Sequence, residues 1–244
     1  MTPFTVVIPV YNEEALLFPN TERLIAYLDP LGLEYEILIG SNGSTDLTPQ
    51  LGEGLRQRFP QVNFLHMPER GVGRVFKTLV AQARYPAIVS IDMDLSTDFD
   101  FIPRALAMLQ VGHVIVGVKK KGIQQRSWLR KLGSDIFVRA VRLLLDIEYD
   151  DYSITAKAYR TESVRRFLDV IDEGSSYVLS ICYLIQRAGG EIIQVPVSCV
   201  DWRPSRFNLA NEAIYKFRHL FRFWLKFRVD RLIRWLNVDS GQFS

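Results

Sequence analysis

The chain is poor in the residues that build disulfide frameworks and histidine-based metal centres. Of 244 residues only two are cysteine, Cys182 and Cys199. Two distant cysteines make neither a bridge network nor a metal-binding spacing, so a reducing compartment is the simple expectation. The three histidines, His66, His113 and His219, show no metal or triad spacing either. No apolar run approaches the ~18–20 residues needed to span a bilayer. Met1 to Pro9 lacks the basic and apolar regions of a secretory signal, so none is expected. Arg70-Gly71-Val72-Gly73-Arg74 opens a helical stretch, but Phe76 stands where a dinucleotide-binding fingerprint wants its third glycine. Internal repeats and low-complexity segments are absent as well.

What is present is ordinary globular material, with 48% hydrophobic and 23% charged residues, enough for one large domain or a domain with an appendage. The net charge of +3 is unevenly spread. Arg203 to Leu236 carries +7 and the remainder −4. A localised basic segment points to an anionic partner more strongly than a modest global charge does.

Strand-like and helix-like runs alternate through the first half. Strands are expected at Thr5 to Val10, Tyr35 to Ile39, Val62 to His66, Ala87 to Ile91 and His113 to Val118. Helices are expected at Asn20 to Leu28, Asp46 to Phe59, Val75 to Ala83 and Phe101 to Gln110, with Ser44 or Thr45 capping the second and Asp100 the fourth. Such alternation predicts an α/β fold with a mostly parallel sheet covered on both faces. The second half is less regular. A helix near Trp128 to Leu145, a strand near Ile154 to Tyr159, a helix from Tyr177 to Ala188, a strand from Glu191 to Cys199 and a long C-terminal helix complete the reading.

Three polar clusters close successive strands. Asp92 and Asp94 follow the apolar run Ala87 to Ile91, outside the carboxyl end of a strand, where open α/β sheets bind ligands. Alternation along an extended segment would point both carboxylates to one side, and two hard oxygen donors suit Mg²⁺ or Mn²⁺ together with substrate phosphates. Pro9-Val10-Tyr11-Asn12-Glu13-Glu14 closes the first strand, where Pro9 should end the ladder. There a ring can stack on a nucleobase and a carboxylate can accept from base or ribose. Ser41-Asn42-Gly43-Ser44-Thr45-Asp46 closes the second. Each alone also fits a solvated loop or a plain turn with a helix cap. The three together are much harder to dismiss.

Val7-Ile8-Pro9-Val10-Tyr11-Asn12-Glu13, Ser41 to Asp46 and Asp92 to Ser96, in this order and spacing, resemble glycosyltransferase family 2. The likeness extends to its dolichyl-phosphate mannosyltransferase-like branch, the polyprenyl-phosphate sugar transferases. Gly117-Val118-Lys119 stands where that branch has Gly-x-Arg, and Arg130 with Ser134 matches its basic-then-serine helix start. Asp151 to Lys157 occupies its D-x-x-x-G-F-K/R element, and Arg203-Pro204-Ser205-Arg206 its arginine…serine-lysine loop. The resemblance implies a GT-A fold, a nucleotide-sugar donor of the GDP-mannose or UDP-glucose type, and Mg²⁺ or Mn²⁺ on the diphosphate. Pro9, Tyr11, Glu13 and Asp46 would line the nucleoside, with Ser41 where the family usually has an aspartate contacting the base. Arg203, Ser205 and Arg206 would join the donor site. Asp92, Asp94 and Ser96 would hold the metal, Asp92 facing either metal or ribose. Lys119, Arg130 and Ser134 would receive the acceptor phosphate. Ile154-Thr155-Ala156 replaces the small-Gly-Phe part of the later element, so only Asp151 and Lys157 carry over there as catalytic candidates.

This chemistry suits the residue inventory. A sugar hydroxyl acceptor usually needs a general base, whereas a lipid monophosphate is already anionic and needs Lys and Arg instead. At helical spacing Ile214, Phe217, Phe221, Trp224, Leu225, Leu232 and Trp235 share one face, with Lys216, Arg222, Lys226 and Arg234 largely opposite. That pattern describes a helix lying in a membrane interface, with Arg228 snorkelling. It also fits a helix packed on the core or an oligomer contact. The expectation is therefore a catalytic domain over residues 1–209 and a basic amphipathic segment over 210–244, peripheral on the cytosolic face of a membrane. Its partners would be a nucleotide sugar, a polyprenyl phosphate and anionic lipid rather than nucleic acid, with a homo-oligomer left open. Two rivals remain. A transferase that extends a glycan or glycolipid would need a carboxylate base, for which Asp150 and Asp151 are available. An inactive basic membrane-binding module would not need the Asp92/Asp94 pair. A nucleotidyltransferase is disfavoured because Pro9 to Glu14 contains no glycine.

Overall fold

The computed structural model describes residues 2–119, 128–147, 154–199 and 209–239, without every side chain in the two helices near the chain's middle and end. The first half builds β1 (Phe4–Val10), α1 (Glu14–Leu28), β2 (Tyr35–Asn42), α2 (Thr48–Arg58), β3 (Val62–Met67), α3 (Val72–Gln82), β4 (Ala87–Ser90), α4 (Phe101–Met108) and β5 (Val114–Lys119). The second half adds α5 (Trp128–Leu145), β6 (Lys157–Arg160), α6 (Thr161–Arg165), α7 (Tyr177–Arg187), β7 (Ile192–Val197) and α8 (Leu209–Asp239). The seven strands form one sheet in the order β3-β2-β1-β4-β6-β5-β7. All run the same way except β6, which is antiparallel to both neighbours. The expected alternating architecture is observed.

Strand periodicity divides the core between the two faces. Val6, Ile8, Ile37, Ile39, Ala87, Val89 and Ala158 belong to one cluster with Leu17 and Leu24 of α1, Leu55 of α2 and Phe101 of α4. The intervening residues face α3 and α7. There Phe76 packs on Tyr159 of β6 at 5.8 Å and on Tyr177 of α7 at 4.7 Å. Gly73 lets α3 approach the 172–174 backbone, because a Cβ there would lie 2.1 Å from the Asp172 carbonyl oxygen.

Three local expectations need correction. Pro9 does not end the ladder, since Pro9 and Val10 still pair with Gly40 and Ser41 of β2. Val7 faces β4, bonding Ile91 through its carbonyl, so Pro9 two residues on turns its missing N–H to the side where β4 has already stopped. Helix α1 begins six residues before Asn20 and carries Pro19 inside it. That proline costs a bond near the helix start, which burial of Leu17, Leu24 and Leu28 offsets. Neither Ser44 nor Thr45 caps α2, and Asp100 precedes α4 without a side-chain capping bond.

At the amino end of the sheet Glu36 is 1% exposed. It accepts from the Thr5 hydroxyl at 2.8 Å, the Arg84 amide at 2.6 Å and the Arg84 Nε at 2.8 Å. A buried carboxylate is tolerated when so bonded.

The chain forms two compact units, one of residues 1–124 and 150–203 and the other of 125–149 and 204–244. In the second unit α5 and α8 pack together, with Phe137 edge-on to Phe217 at 5.4 Å. Leu220 and Phe223 are buried, whereas Leu143, Ile214, Phe217, Phe221 and Leu225 are exposed. Arg228 lies over the Trp224 ring at 5.0 Å. Among the described residues no helix is long and apolar enough to cross a membrane.

Candidate active site

The loops after β1 and β2 are stitched together at the carboxyl end of the sheet. Asn12, at φ +52°, accepts from the Thr45 amide at 2.8 Å, while its own amide donates to the Ser44 hydroxyl at 3.0 Å. The Glu13 amide donates to the Thr48 hydroxyl at 2.8 Å. Asp46 takes the Thr48 amide on one oxygen at 3.0 Å and the Glu14 amide on the other at 3.3 Å. Burial opposes ionisation of Asp46, but the Thr48 hydroxyl and these amides together hold its carboxyl below the usual range. Sequence reasoning places Asp46 only at the nucleoside, and the structure adds that both its oxygens hold the loops.

Ser41 also differs from expectation. Because β2 runs on to Asn42, Ser41 lies inside the strand on the face of Ile37 and Ile39. Its fully buried hydroxyl donates to the Ser44 hydroxyl at 2.9 Å and contacts His66 Nδ1 at 3.0 Å. It is turned away from any open surface. Asn42 points the other way and accepts from the Gly71 amide at 2.5 Å. Gly43, at φ +64°, leaves room for Arg70, whose Cγ would lie 2.8 Å from a Cβ there. Arg70 then lies over the Tyr11 ring, 3.9 Å from its centroid. Sequence reasoning noticed Arg70 only within a failed dinucleotide motif. Its place one residue before a glycine at a loop-to-helix junction was the available signal.

The D-x-D segment is a turn, which corrects the extended geometry expected for it. Strand β4 stops at Ser90, and the Leu95 amide closes back on the Asp92 carbonyl at 3.1 Å with Leu95 at φ +51°. Such a conformation is costly for a non-glycine residue and is often found at functional sites. Asn20 holds the turn through the Met93 carbonyl at 2.8 Å, and Asp94 accepts from the Ser96 amide at 3.0 Å. Met93 is buried in the core cluster with Ile91, and the Asp92 carboxylate acts on the Tyr177 phenol of α7.

Asp92 is only partly exposed. Burial pushes its carboxyl up to about 6, and Asp94 adds to the rise, while a Thr155 hydrogen bond, Lys157 and Lys119 act against it. Lys119 ends β5 and Lys157 begins β6. Lys157 is 1% exposed, with its ammonium donating to the Ile154 carbonyl. It is a buried countercharge beneath the turn. Thr155 and Lys157 both act on Asp92; the sequence offered Lys157 as a catalytic candidate without showing its burial, and it passed over Thr155.

Among the described residues no three His, Cys, Asp or Glu side chains gather into a metal cluster. Two carboxylates nonetheless fit a divalent ion that takes its other ligands from substrate phosphates and water. An incompletely neutralised Asp92 beside Asp94 is the electrostatic signature of such a pair. Arg130 and Ser134 lie on α5 in the helical unit, their side chains outside the described set. Asp150, Asp151, Arg203, Ser205 and Arg206 lie outside the described residues.

A seven-stranded, mostly parallel sheet with helices on both faces and a D-x-D turn at its carboxyl end is a GT-A type fold. Solved structures agree. Glucosyl-3-phosphoglycerate synthase from Mycobacterium tuberculosis, in complex with Mn²⁺ and UDP-glucose, superposes with TM-score 0.67 at 17% identity over 91% of this chain and 79% of that one. A mannosyltransferase from Pyrobaculum calidifontis, in complex with GDP-Man and Mn²⁺, gives 0.58 at 21% identity over 84% and 58%. Residues 5–195 match the model of glycosyl transferase family 2, and the chain belongs to that family. Curated relatives include undecaprenyl-phosphate 4-deoxy-4-formamido-L-arabinose transferases. The Aeromonas hydrophila protein is 29% identical over 170 residues, 67% of this chain and 51% of that protein. The Edwardsiella ictaluri protein is 26% identical over 195 residues, 79% and 58%. The chain thus spans little more than half the length of these relatives.

Proposed function

We propose that the protein is an inverting, metal-dependent glycosyltransferase that moves a hexose from a nucleotide sugar to a polyprenyl phosphate. The observation that carries this reading is the Asp92–Leu95 turn at the carboxyl end of the sheet, which sets Asp92 beside Asp94 and within electrostatic reach of Lys119. The lipid-phosphate acceptor is further supported by the names of the curated relatives.

Tyr11 offers a ring for the nucleobase, with Arg70 stacked against it as a second wall. Glu13 would accept from the nucleoside. Asp92 and Asp94 would hold the divalent ion, with Ser96 beside them. When bound, that ion supplies Lewis-acid stabilisation of the departing nucleoside diphosphate, worth several kcal/mol. Lys119 would orient and neutralise the acceptor phosphate. A phosphate monoester is anionic near neutral pH and attacks without a base. Direct displacement from the far side inverts the anomeric carbon.

The helical unit is the proposed membrane contact. Ile214, Phe217, Phe221 and Leu225 are exposed on α8, beside exposed Arg218, Arg222 and Lys226. Apolar side chains next to cations suit an anionic lipid interface. Such a contact would bring the protein to the surface where a lipid phosphate is presented.

Transfer of labelled sugar from UDP-glucose and GDP-mannose to a polyprenyl phosphate, with the product's anomeric configuration, tests the reaction. Transfer only to glycan hydroxyls would favour the glycan-extending rival. Loss of vesicle co-sedimentation on removing Asn211 to Ser244, with the nucleotide site intact, tests the membrane role. Equal pelleting with and without that segment would remove it.

A further inference from the structure

The two residues that end β2, Ser41 and Asn42, are both neutral, and the polar side chains after them are largely committed to the protein. Ser41 is fully buried against Ser44 and His66. The Ser44 hydroxyl also takes the Asn12 amide, and the Thr48 hydroxyl takes the Glu13 amide. Asn42 is the exception. Its side chain accepts from the Gly71 amide at 2.5 Å, and because an N–H must meet oxygen, this bond fixes which end of the Asn42 amide is which. The oxygen is engaged. The Nδ2 end makes no hydrogen bond among the described residues and is not sealed from solvent, so it is presented as a donor.

That donor stands beside the ring offered to the base. Val10 of β1 pairs with Ser41 of β2, so Tyr11 and Asn42 come next at the same level of neighbouring strands. The Gly71 that Asn42 holds follows Arg70, whose guanidinium lies 3.9 Å over the Tyr11 ring. The Gly43 amide ties the same segment to β3 through the Met67 carbonyl at 2.8 Å. Tyr11, Asn42 and Arg70 are thus one patch, assembled from the ends of β1, β2 and β3.

The chemistry of this patch does not choose among bases. Every base has a π-face, so stacking on Tyr11 and Arg70 accepts any of them. A carboxylate in the place of Asn42 would accept the ring N–H of uracil or guanine and repel the lone pair that cytosine and adenine carry at the matching ring nitrogen. An amide donor has no such preference, because all four bases offer an oxygen or a ring nitrogen that accepts. We propose that Asn42 is a specificity-determining residue that makes the nucleotide site tolerant of the base, by presenting a donor where an acceptor would discriminate. This rests on the glycosyltransferase reading and adds which class of donor nucleotides the site admits.

Calorimetry on the full chain with Mn²⁺ tests it by comparing UDP with CDP, two pyrimidines of one size whose ring nitrogen 3 donates in the first and accepts in the second. Wild-type affinities should agree within about fivefold. Asn42→Asp should open a preference for UDP of about tenfold or more, the worth of a hydrogen bond to a charged group. Its melting temperature shows whether that variant is folded, and the wild-type comparison stands without it. Tyr11→Ala should weaken UDP and CDP by the same factor, about tenfold, as loss of stacking implies. A wild-type gap wider than about fivefold in either direction would overturn the tolerance, and Glu13→Gln closing that gap would make Glu13 the base reader. An unchanged ratio in folded Asn42→Asp would overturn the role of Asn42. Wild-type protein that binds no nucleoside diphosphate, GDP included, would overturn the glycosyltransferase reading as well, whereas tight binding with a sharp choice of base would overturn only the tolerance.

Discussion

Two carboxylates with little exposure stand at opposite ends of the same sheet and are treated differently. Glu36, at the amino end, takes three hydrogen bonds from Thr5 and Arg84, one of them charge-paired. Asp92, at the carboxyl end, sits beside Asp94, and burial drives its carboxyl up to about 6. The first is a structural charge that the fold has paired. The second is a charge that burial disfavours despite Lys119 and Lys157, so binding a metal ion there offsets a cost already present. Neighbouring backbone follows the same division, with strained φ angles at Asn12 and Leu95, both at the carboxyl end.

This contrast predicts opposite mutational signatures. Asp94→Ala should lower transfer by about 100-fold or more, as loss of several kcal/mol of metal stabilisation implies, with folding retained. Full activity in that variant would break the comparison at once. At the other end, Glu36→Ala should cost about 2–4 kcal/mol of stability, because it strands buried donors, while nucleotide affinity stays unchanged. Chemical denaturation beside nucleotide titration reads both quantities. The cations should divide likewise. Lys119→Ala should slow transfer about tenfold or more through the acceptor KM at near-normal stability, given ~1.5–3 kcal/mol per charged contact. Arg84→Ala should lose about 1 kcal/mol of stability and leave kinetics alone, since Arg84 is 63% exposed and its amide bond to Glu36 survives.

The smallest effect is the most diagnostic. Asp92 keeps its proton up to about pH 6 in the folded protein, against an ordinary value of 3.8. Below that ordinary value the carboxyl is neutral whether folded or unfolded, and Asp92→Asn should change nothing. Between the two values a stability difference opens, and above pH 6 the folded protein bears the full cost of the charge. Asp92→Asn should therefore stabilise the metal-free protein by about 1–3 kcal/mol at pH 7–8, a few degrees in melting temperature, with no gain near pH 4. Destabilisation at pH 7–8 would mean Asp92 is a paired structural charge like Glu36.

The sheet and the location of the D-x-D were legible because β-branched runs and alternating periodicity depend on local composition. The Ala87 to Ser90 strand and the carboxylates after it follow directly from that pattern. Side-chain direction at strand ends was not legible. Extending β2 past Ile39 to Asn42 fixes Ser41 on the inner face and turns Asn42 the other way, and no local signal sets that length. The Asp92–Leu95 turn depends on a positive φ at leucine, which no propensity anticipates. Asp46 has the composition of a ligand residue, but its contacts are to amides of a loop some thirty residues earlier and of its own turn. The sequence offered Lys157 as a catalytic candidate, but only the antiparallel placement of β6 beside β4 shows it to be buried. The five-residue α6 is too short to leave a period.

The most direct test is thermal melting of wild type and Asp94→Ala with UDP and GDP, each with and without Mn²⁺. A ligand that binds only the folded state raises the melting temperature in proportion to its affinity. The account predicts that a nucleoside diphosphate raises the wild-type melting temperature by several degrees only when Mn²⁺ is present, and that Asp94→Ala shows no metal-dependent rise. The same rise without metal, or in Asp94→Ala, would contradict it.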